Sequence, residues 1–178
     1  TDFYYPGADA GTAPTVARVG GAGTDYRGYF YTYVSRYGEE GPGSAIGEIT
    51  DFDSGRITLD DIETPRATDT HLTTAVDGVY PKVRIYRTSS TTDGTATFLL
   101  VCEAYWFSTS QTYAVGDFVI YSNGLWECTT ANPAASWNAA HFTEGEAEST
   151  TILTGTNDSY LYRRCPNDLT NLRSHPNG

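Results

Sequence analysis

The chain has 178 residues, a formal net charge of −11 and a pI near 4.5, enough for one ordinary domain or two small ones. That charge argues against nucleic acid as a partner, because holding a phosphate backbone takes clustered Lys and Arg, and Lys82 is the single lysine. It also argues against an anionic bilayer surface, and no apolar run approaches the ~20 residues of a membrane-crossing helix.

The first residues, TDFYYPGADAG, carry no basic or apolar leader region, and methionine is absent throughout, which fits a chain that starts inside a longer polypeptide. Residues 1–24, rich in Gly, Ala and Pro, read as an extended lead-in. Beyond them Thr, Gly and 14 tyrosines dominate, a composition that favours strands and turns. No long stretch keeps the spacing of an amphipathic helix. Residues 29–36 (YFYTYVSR) form the strongest strand candidate, followed by a turn cluster at 39–44 (EEGPGS). Residues 56–62 (RITLDDI) alternate, with Ile57 and Leu59 on one face. In 82–87 (KVRIYR), Val83 and Ile85 point inward and Lys82, Arg84 and Tyr86 outward. Further turn clusters stand at 53–55 (DSG) and 89–94 (SSTTDG). Residues 97–104 (TFLLVCEA) are apolar on both faces, as in a central strand. Short strands with turns at this spacing predict an all-β sandwich.

The style changes near Tyr105. Residues 105–144 are dense in aromatics and hold all three tryptophans. Two strands, 118–121 (FVIY) and 125–129 (LWECT), flank the turn Ser122-Asn123-Gly124, a strong hairpin signal. Gly116-Asp117 reads as a turn, with a positive φ at the glycine and a side-chain cap from the aspartate. After Glu144 the Thr-rich style returns. The expected organisation is therefore a sandwich from 25–104 plus 147–163, a module inserted at 105–144, and a linker at 164–178. Such an insert, with its ends close together, implies a sandwich that folds without it.

Candidate chemistry is sparse. Cys102, Cys128 and Cys165 are an odd set at long spacings, which reads as free, partly buried thiols and not as a zinc site; whether Cys102 and Cys128 are bridged stays open. Asp51-x-Asp53-x-Gly55 begins like a calcium loop but lacks the later bidentate Glu, so a capped turn is the reading. Asp60 and Asp61 are adjacent and would face opposite sides of a strand. His71, His141 and His175 are far apart, and Glu39-Glu40 reads as a solvated turn. The sequence predicts no catalytic residue, no metal and no cofactor.

Two resemblances carry a functional expectation. The run YFYTYVSRYGEEGPGSAIGEIT (29–50), with RITLDDI and KVRIYRTSSTTDGTATFLLVCEA (82–104), resembles the fibronectin type III-like segment of tailed-bacteriophage tail proteins. LRSHPNG (172–178) resembles the run that opens the next domain in such proteins. Residues 106–144, with Trp, Tyr-x-x-Gly-Asp-x-Val-x-Tyr, aromatic-x-Cys and Trp in order, resemble the small carbohydrate-binding modules appended to chitinases and cellulases. Together they imply a fibronectin type III/Ig-like β-sandwich carrying an inserted β-hairpin module. The implied function is a non-catalytic structural component of a virion tail, assembled in the host cytoplasm with copies of itself or other tail proteins, whose inserted module binds polysaccharide. The alternative is the carbohydrate-binding accessory region of a secreted polysaccharide-degrading enzyme. The module resemblance points to Trp106, Tyr113, Trp126 and Trp137 for stacking on sugar rings, because the C–H face of a pyranose is apolar and flat indoles match it. The same aromatics are also the available core of so small a module, so sugar contact and scaffold compete. Trp126 shares a strand face with Cys128, which predicts burial; Trp106 and Trp137 lie in less regular sequence and are expected to be the exposed pair.

Overall fold

A computed structural model of the chain describes residues 11–53, 55–88, 98–133 and 135–147. The predicted strands beyond 147, the 164–178 linker, the turn at 89–94, Cys165 and His175 lie outside these residues. The described chain is all-β. Its strands are β1 (Thr15–Val19), β2 (Ala22–Val34), β3 (Glu40–Gly43), β4 (Gly47–Phe52), β5 (Arg56–Asp60), β6 (Lys82–Thr88), β7 (Phe98–Trp106), β8 (Phe118–Tyr121), β9 (Gly124–Cys128), β10 (Phe142–Glu144) and β11 (Glu146–Ala147). A single-turn helix, α1 (Thr70–Thr73), lies between β5 and β6. The strands form an eight-stranded sheet in the order β10-β9-β8-β7-β6-β2-β3, with β4 also on β2, and a three-stranded sheet in the order β1-β5-β11. The lead-in expected over 1–24 contains β1, paired with β5, and the start of β2.

The two sheets enclose a core of Tyr29, Tyr31, Tyr33, Val83, Ile85, Val101, Cys102 and Ala104 from the larger sheet and Ile57 and Leu59 from the smaller, sealed by Ile62 and Leu72. Alternation places them there: on β6, Val83 and Ile85 are buried as the pattern predicts. The buried tyrosines keep their hydroxyls satisfied. Tyr33 Oη donates to the Glu63 carbonyl (2.6 Å), and Tyr31 Oη accepts from the Glu63 amide (3.1 Å). Tyr86 does face away from this core, as expected, yet it is buried, because Phe30 stacks on it (4.8 Å, 10°) within a patch shared with Leu100 and Phe98.

Two expectations for 39–44 are corrected. The reversal comes earlier, at 35–39, where the Ser35 amide donates to the Glu39 carbonyl (2.8 Å) and Gly38 takes φ +83, a region open to glycine. Residues 40–43 then pair with β2 as an edge strand, a place where Pro42 is tolerated. Glu40 is not a solvated turn residue. Its carboxylate accepts from Thr32 Oγ1, Tyr86 Oη and Arg84 Nη1, each at 2.6 Å. The GEEGP and IYR runs, far apart in sequence, thus meet across the sheet.

Residues 105–144 join the rest on two sides. β8 lies parallel to β7, pairing Ala104 with Phe118 and Trp106 with Ile120. Phe118, Ile120 and Leu125 belong to the main core. Val119 and Cys128 face the other way, into a second cluster with Tyr113 and Phe142. Cys102 and Cys128 are both free and buried. Beyond β10 the chain crosses to the smaller sheet as β11. There the fully buried Glu146 accepts from Tyr29 Oη and Arg87 Nη1, both at 2.6 Å, and so ties the two sheets together.

Candidate functional site

The four aromatics expected to meet sugar fall into two environments. Tyr113 is 2% exposed. Its hydroxyl accepts from the Ser108 amide (2.7 Å), and its backbone exchanges hydrogen bonds with Asn132 (2.9 Å each way). It offers no ring face to a ligand. The adjacent turn is as the Gly-Asp pair predicts: Gly116 has φ +93, and Asp117 Oδ2 accepts from the Ala114 amide (2.7 Å).

Trp126 is half-buried on the face it shares with Cys128, and its indole N–H donates to the Tyr121 carbonyl (3.2 Å). Its ring meets Trp137 edge-on at 5.3 Å and 76°. Trp137 is the centre of this cluster. Tyr121 stacks on it at 3.9 Å and 6°, and Phe142 at 4.3 Å and 15°. Two rings so close and so nearly parallel to one indole cannot share a face, so both faces are covered. Phe107 closes one edge at 5.1 Å and 88°. Trp137 was expected to be exposed; it is half-buried, and what solvent it meets touches its rim.

Trp106, the other tryptophan expected to be exposed, is half-buried as well, but its surroundings differ. It ends β7 and packs against the main core. Among the described residues no ring stacks on it and no acceptor meets its indole N–H. It lines an open cleft of about 330 Å³ together with Thr64, Pro65, Thr73, Phe107, Ile120, Tyr121 and Ser122. One wall is the tip of the β8–β9 hairpin. Ser122 (φ +51) and Asn123 (φ +65) form its two-residue loop, and Gly124 begins β9, where a Cβ would come within 2.9 Å of Asp60 Oδ1. The tip is moored to the segment after β5 by the Ile62 amide, which donates to the Asn123 carbonyl (2.9 Å). That mooring holds Thr64 and Pro65 opposite Ser122. α1 supplies Thr73. None of the eight lining residues is charged, and three carry hydroxyls outside the rings. Tyr121 belongs to both places: it walls the cleft and stacks on Trp137, so Trp137 positions it.

The sequence reading located Trp106 but missed the rest of this lining. Thr64, Pro65 and Thr73 reach it only through the mooring of the hairpin tip, which no local pattern announces.

Other chemical groups are bound up in structure. Asp51 pairs with Arg18 (3.0 Å), and burial, with Asp61 nearby, pushes the Asp60 carboxyl up. His71 is buried in α1. Cys128, His141 and Asn132 come near one another: β10 and β9 pair beside them, and His141 Nδ1 lies 2.8 Å from Asn132 Oδ1. A thiolate is what such a set would need. Burial instead pushes the Cys128 thiol up, and it donates to the Thr130 carbonyl (3.2 Å). Among the described residues no group of three or more His, Cys, Asp or Glu is placed to hold a metal. No family model, no curated protein and no solved structure matches the chain.

Proposed function

We propose that this chain is a non-catalytic structural domain of a bacteriophage tail that binds a neutral polysaccharide in the cleft at Trp106. The observation that carries the binding half is the contrast between the tryptophans. Trp137 has both faces occupied by protein rings, whereas Trp106 has no stacked neighbour and borders an open, uncharged cleft. The cleft volume falls at the lower end of the ~300–1,000 Å³ range of small-molecule sites. An indole for the apolar face of a pyranose, the Ser122 hydroxyl to donate to its oxygens, and the Thr64 and Thr73 hydroxyls, which donate to Asn123 Oδ1 and the Asp69 carbonyl, to accept from its O–H groups are the chemistry a neutral sugar needs. The tail half rests on the YFYTYVSRYGEEGPGS and IYR runs and their resemblance to tail proteins. A secreted enzyme's accessory region would use the same cleft, but those runs favour the tail.

Binding through stacking should be weak and nearly independent of salt, since screening has little charge to act on. The test is retention on insoluble chitin and on bacterial cell-wall polysaccharide at low and high salt. Trp106→Ala should abolish retention in a chain that still melts cooperatively, with a melting temperature only modestly below the parent's, since Trp106 also packs on the main core. Retention that survives Trp106→Ala, or that collapses with salt, would sink the proposal. The non-catalytic half predicts no release of soluble sugar from either polymer by the pure chain; release abolished by one carboxylate substitution would contradict it.

A further inference from the structure

The end of the sandwich that carries the cleft also carries an aromatic platform. β2 ends at Val34, which pairs with Lys82, and Lys82 pairs with Tyr105. The chain leaving β2 and Trp106 leaving β7 therefore emerge at the same end of the larger sheet, two strand spacings or roughly 10 Å apart. Just beyond β2, Tyr37 is 69% exposed, the most exposed large apolar side chain among the described residues.

Tyr37 is exposed but not loose. The Arg36 guanidinium lies 5.0 Å from its ring centroid, and Arg36 Nη2 donates to its hydroxyl (2.9 Å). Arg36 is itself held: Nη1 donates to the Thr70 and Thr74 carbonyls (3.1 and 3.3 Å), and its amide donates to the His71 carbonyl (3.0 Å). Ser35 Oγ accepts from the Tyr37 and Glu39 amides, both at 3.2 Å. One ring face is thus backed by a cation that the fold has anchored. The ordering of this side chain is complete before any ligand arrives, which removes a cost that an ordinary surface tyrosine would incur on binding. α1 connects the two places, for Thr70 anchors Arg36 while Thr73 lines the cleft.

We infer that Tyr37 and the Trp106 cleft are the two ends of one surface, running over α1, that binds an extended neutral glycan and not a single sugar. This rests on the cleft being the sugar site. A chain of several residues would seat one ring in the cleft and lay a later ring on the free face of Tyr37. The intervening α1 surface requires length, so affinity should rise sharply once an oligomer reaches from one end to the other.

The experiment is calorimetric titration of the whole chain with N-acetylglucosamine oligomers from dimer to hexamer. The hexamer should bind about three- to tenfold more tightly than the dimer, as one added stacking contact predicts. Tyr37→Ala should bring hexamer affinity down to that of the dimer and leave dimer binding and the melting temperature unchanged. Tyr37→Phe, which keeps the ring, should retain most of the gain. If Trp106→Ala abolishes binding at every length while Tyr37→Ala leaves hexamer binding intact, the cleft stands and the extended surface falls. If the parent chain binds no oligomer, or Trp106→Ala has no effect, the cleft reading falls and this inference with it.

Discussion

The cluster around Trp137 and the cleft at Trp106 are built from the same residue type, in the same stretch of chain, at the same half-buried level, and their surroundings are opposite. At Trp137 the protein supplies both stacking partners, Tyr121 and Phe142. At Trp106 it supplies none among the described residues, and a cavity lies beside the ring. For an indole the deciding quantity is which part of it meets solvent. An indole with both faces covered has no face left to stack on a ligand, whereas one with no stacked neighbour beside a cavity keeps that option, which is the basis of the proposed function. The resemblance to carbohydrate-binding modules located the aromatics and could not make that distinction.

The largest effect that tests the separateness of these regions is deletion. Phe118, Ile120 and Leu125 reach from the hairpin into the main core, while Val119 and Cys128 on the other face build the aromatic cluster. Replacing 106–143 with a short Gly-Ser bridge takes three buried side chains out of the main core. At ~1.5–3 kcal/mol each this sums to roughly 5–9 kcal/mol, comparable with the whole stability of a domain. Circular dichroism should then find the truncated chain largely unfolded. A cooperative melt near the parental temperature would mean that the sandwich core closes without the hairpin. Leu125→Ala is the milder form, expected to cost about 2–5 kcal/mol in one cooperative transition.

Next in size is Trp137→Ala. Buried Phe or Trp to Ala costs about 3–5 kcal/mol, and the half-buried state of Trp137 puts it at the lower end. Denaturant unfolding should find a loss of about 2–4 kcal/mol, against a smaller loss of about 1–2 kcal/mol for Trp106→Ala, because Trp106 packs on the main core but no ring among the described residues stacks on it. Should Trp106→Ala cost as much as Trp137→Ala, the contrast between scaffold and site would not hold. Because Trp137 positions Tyr121, its loss should also weaken glycan retention, but only together with stability.

Much of this was legible in the sequence, and the limits have physical causes. FVIY and the alternation of LWEC predicted β8 and β9, and the shared face of Trp126 and Cys128 followed from the two-residue period. Val83 and Ile85 read as core for the same reason. Trp137 did not, because its faces are closed by Tyr121 and Phe142, which reach it only after the hairpin and β10 have folded. The parallel pairing of β7 with β8 was hidden likewise, since nothing local distinguishes a segment that returns along the same sheet from a free module. Tyr37 stood within a resemblance run beside a turn cluster; its anchoring by Arg36 depends on α1, which no periodicity announced.

The smallest predicted effect separates charge from stacking. Glu103 lies on the face of β7 away from Cys102 and Ala104, bonded to Lys82 and to Arg84 Nε (2.9 Å). Burial pushes its carboxyl up, but the hydrogen bonds from Lys82 and Arg84 outweigh that and hold it below the usual carboxylate range. A carboxyl whose pKa is lower folded than unfolded stabilises the fold at pH values above the unfolded pKa, about 4.3 for Glu, and loses that contribution as pH falls through the folded value. With side chains about a quarter exposed, the contribution is about 1 kcal/mol or less. Glu103→Gln should therefore melt slightly below the parent at pH 7, and the gap should close as the pH is lowered past about 4. A gap that widens toward acid would contradict the assignment. If the proposed function holds, the same variant should bind glycan as the parent does, because the ion pairs lie on the sheet face that carries neither the cleft nor the main core, and the proposed stacking on Trp106 does not involve them.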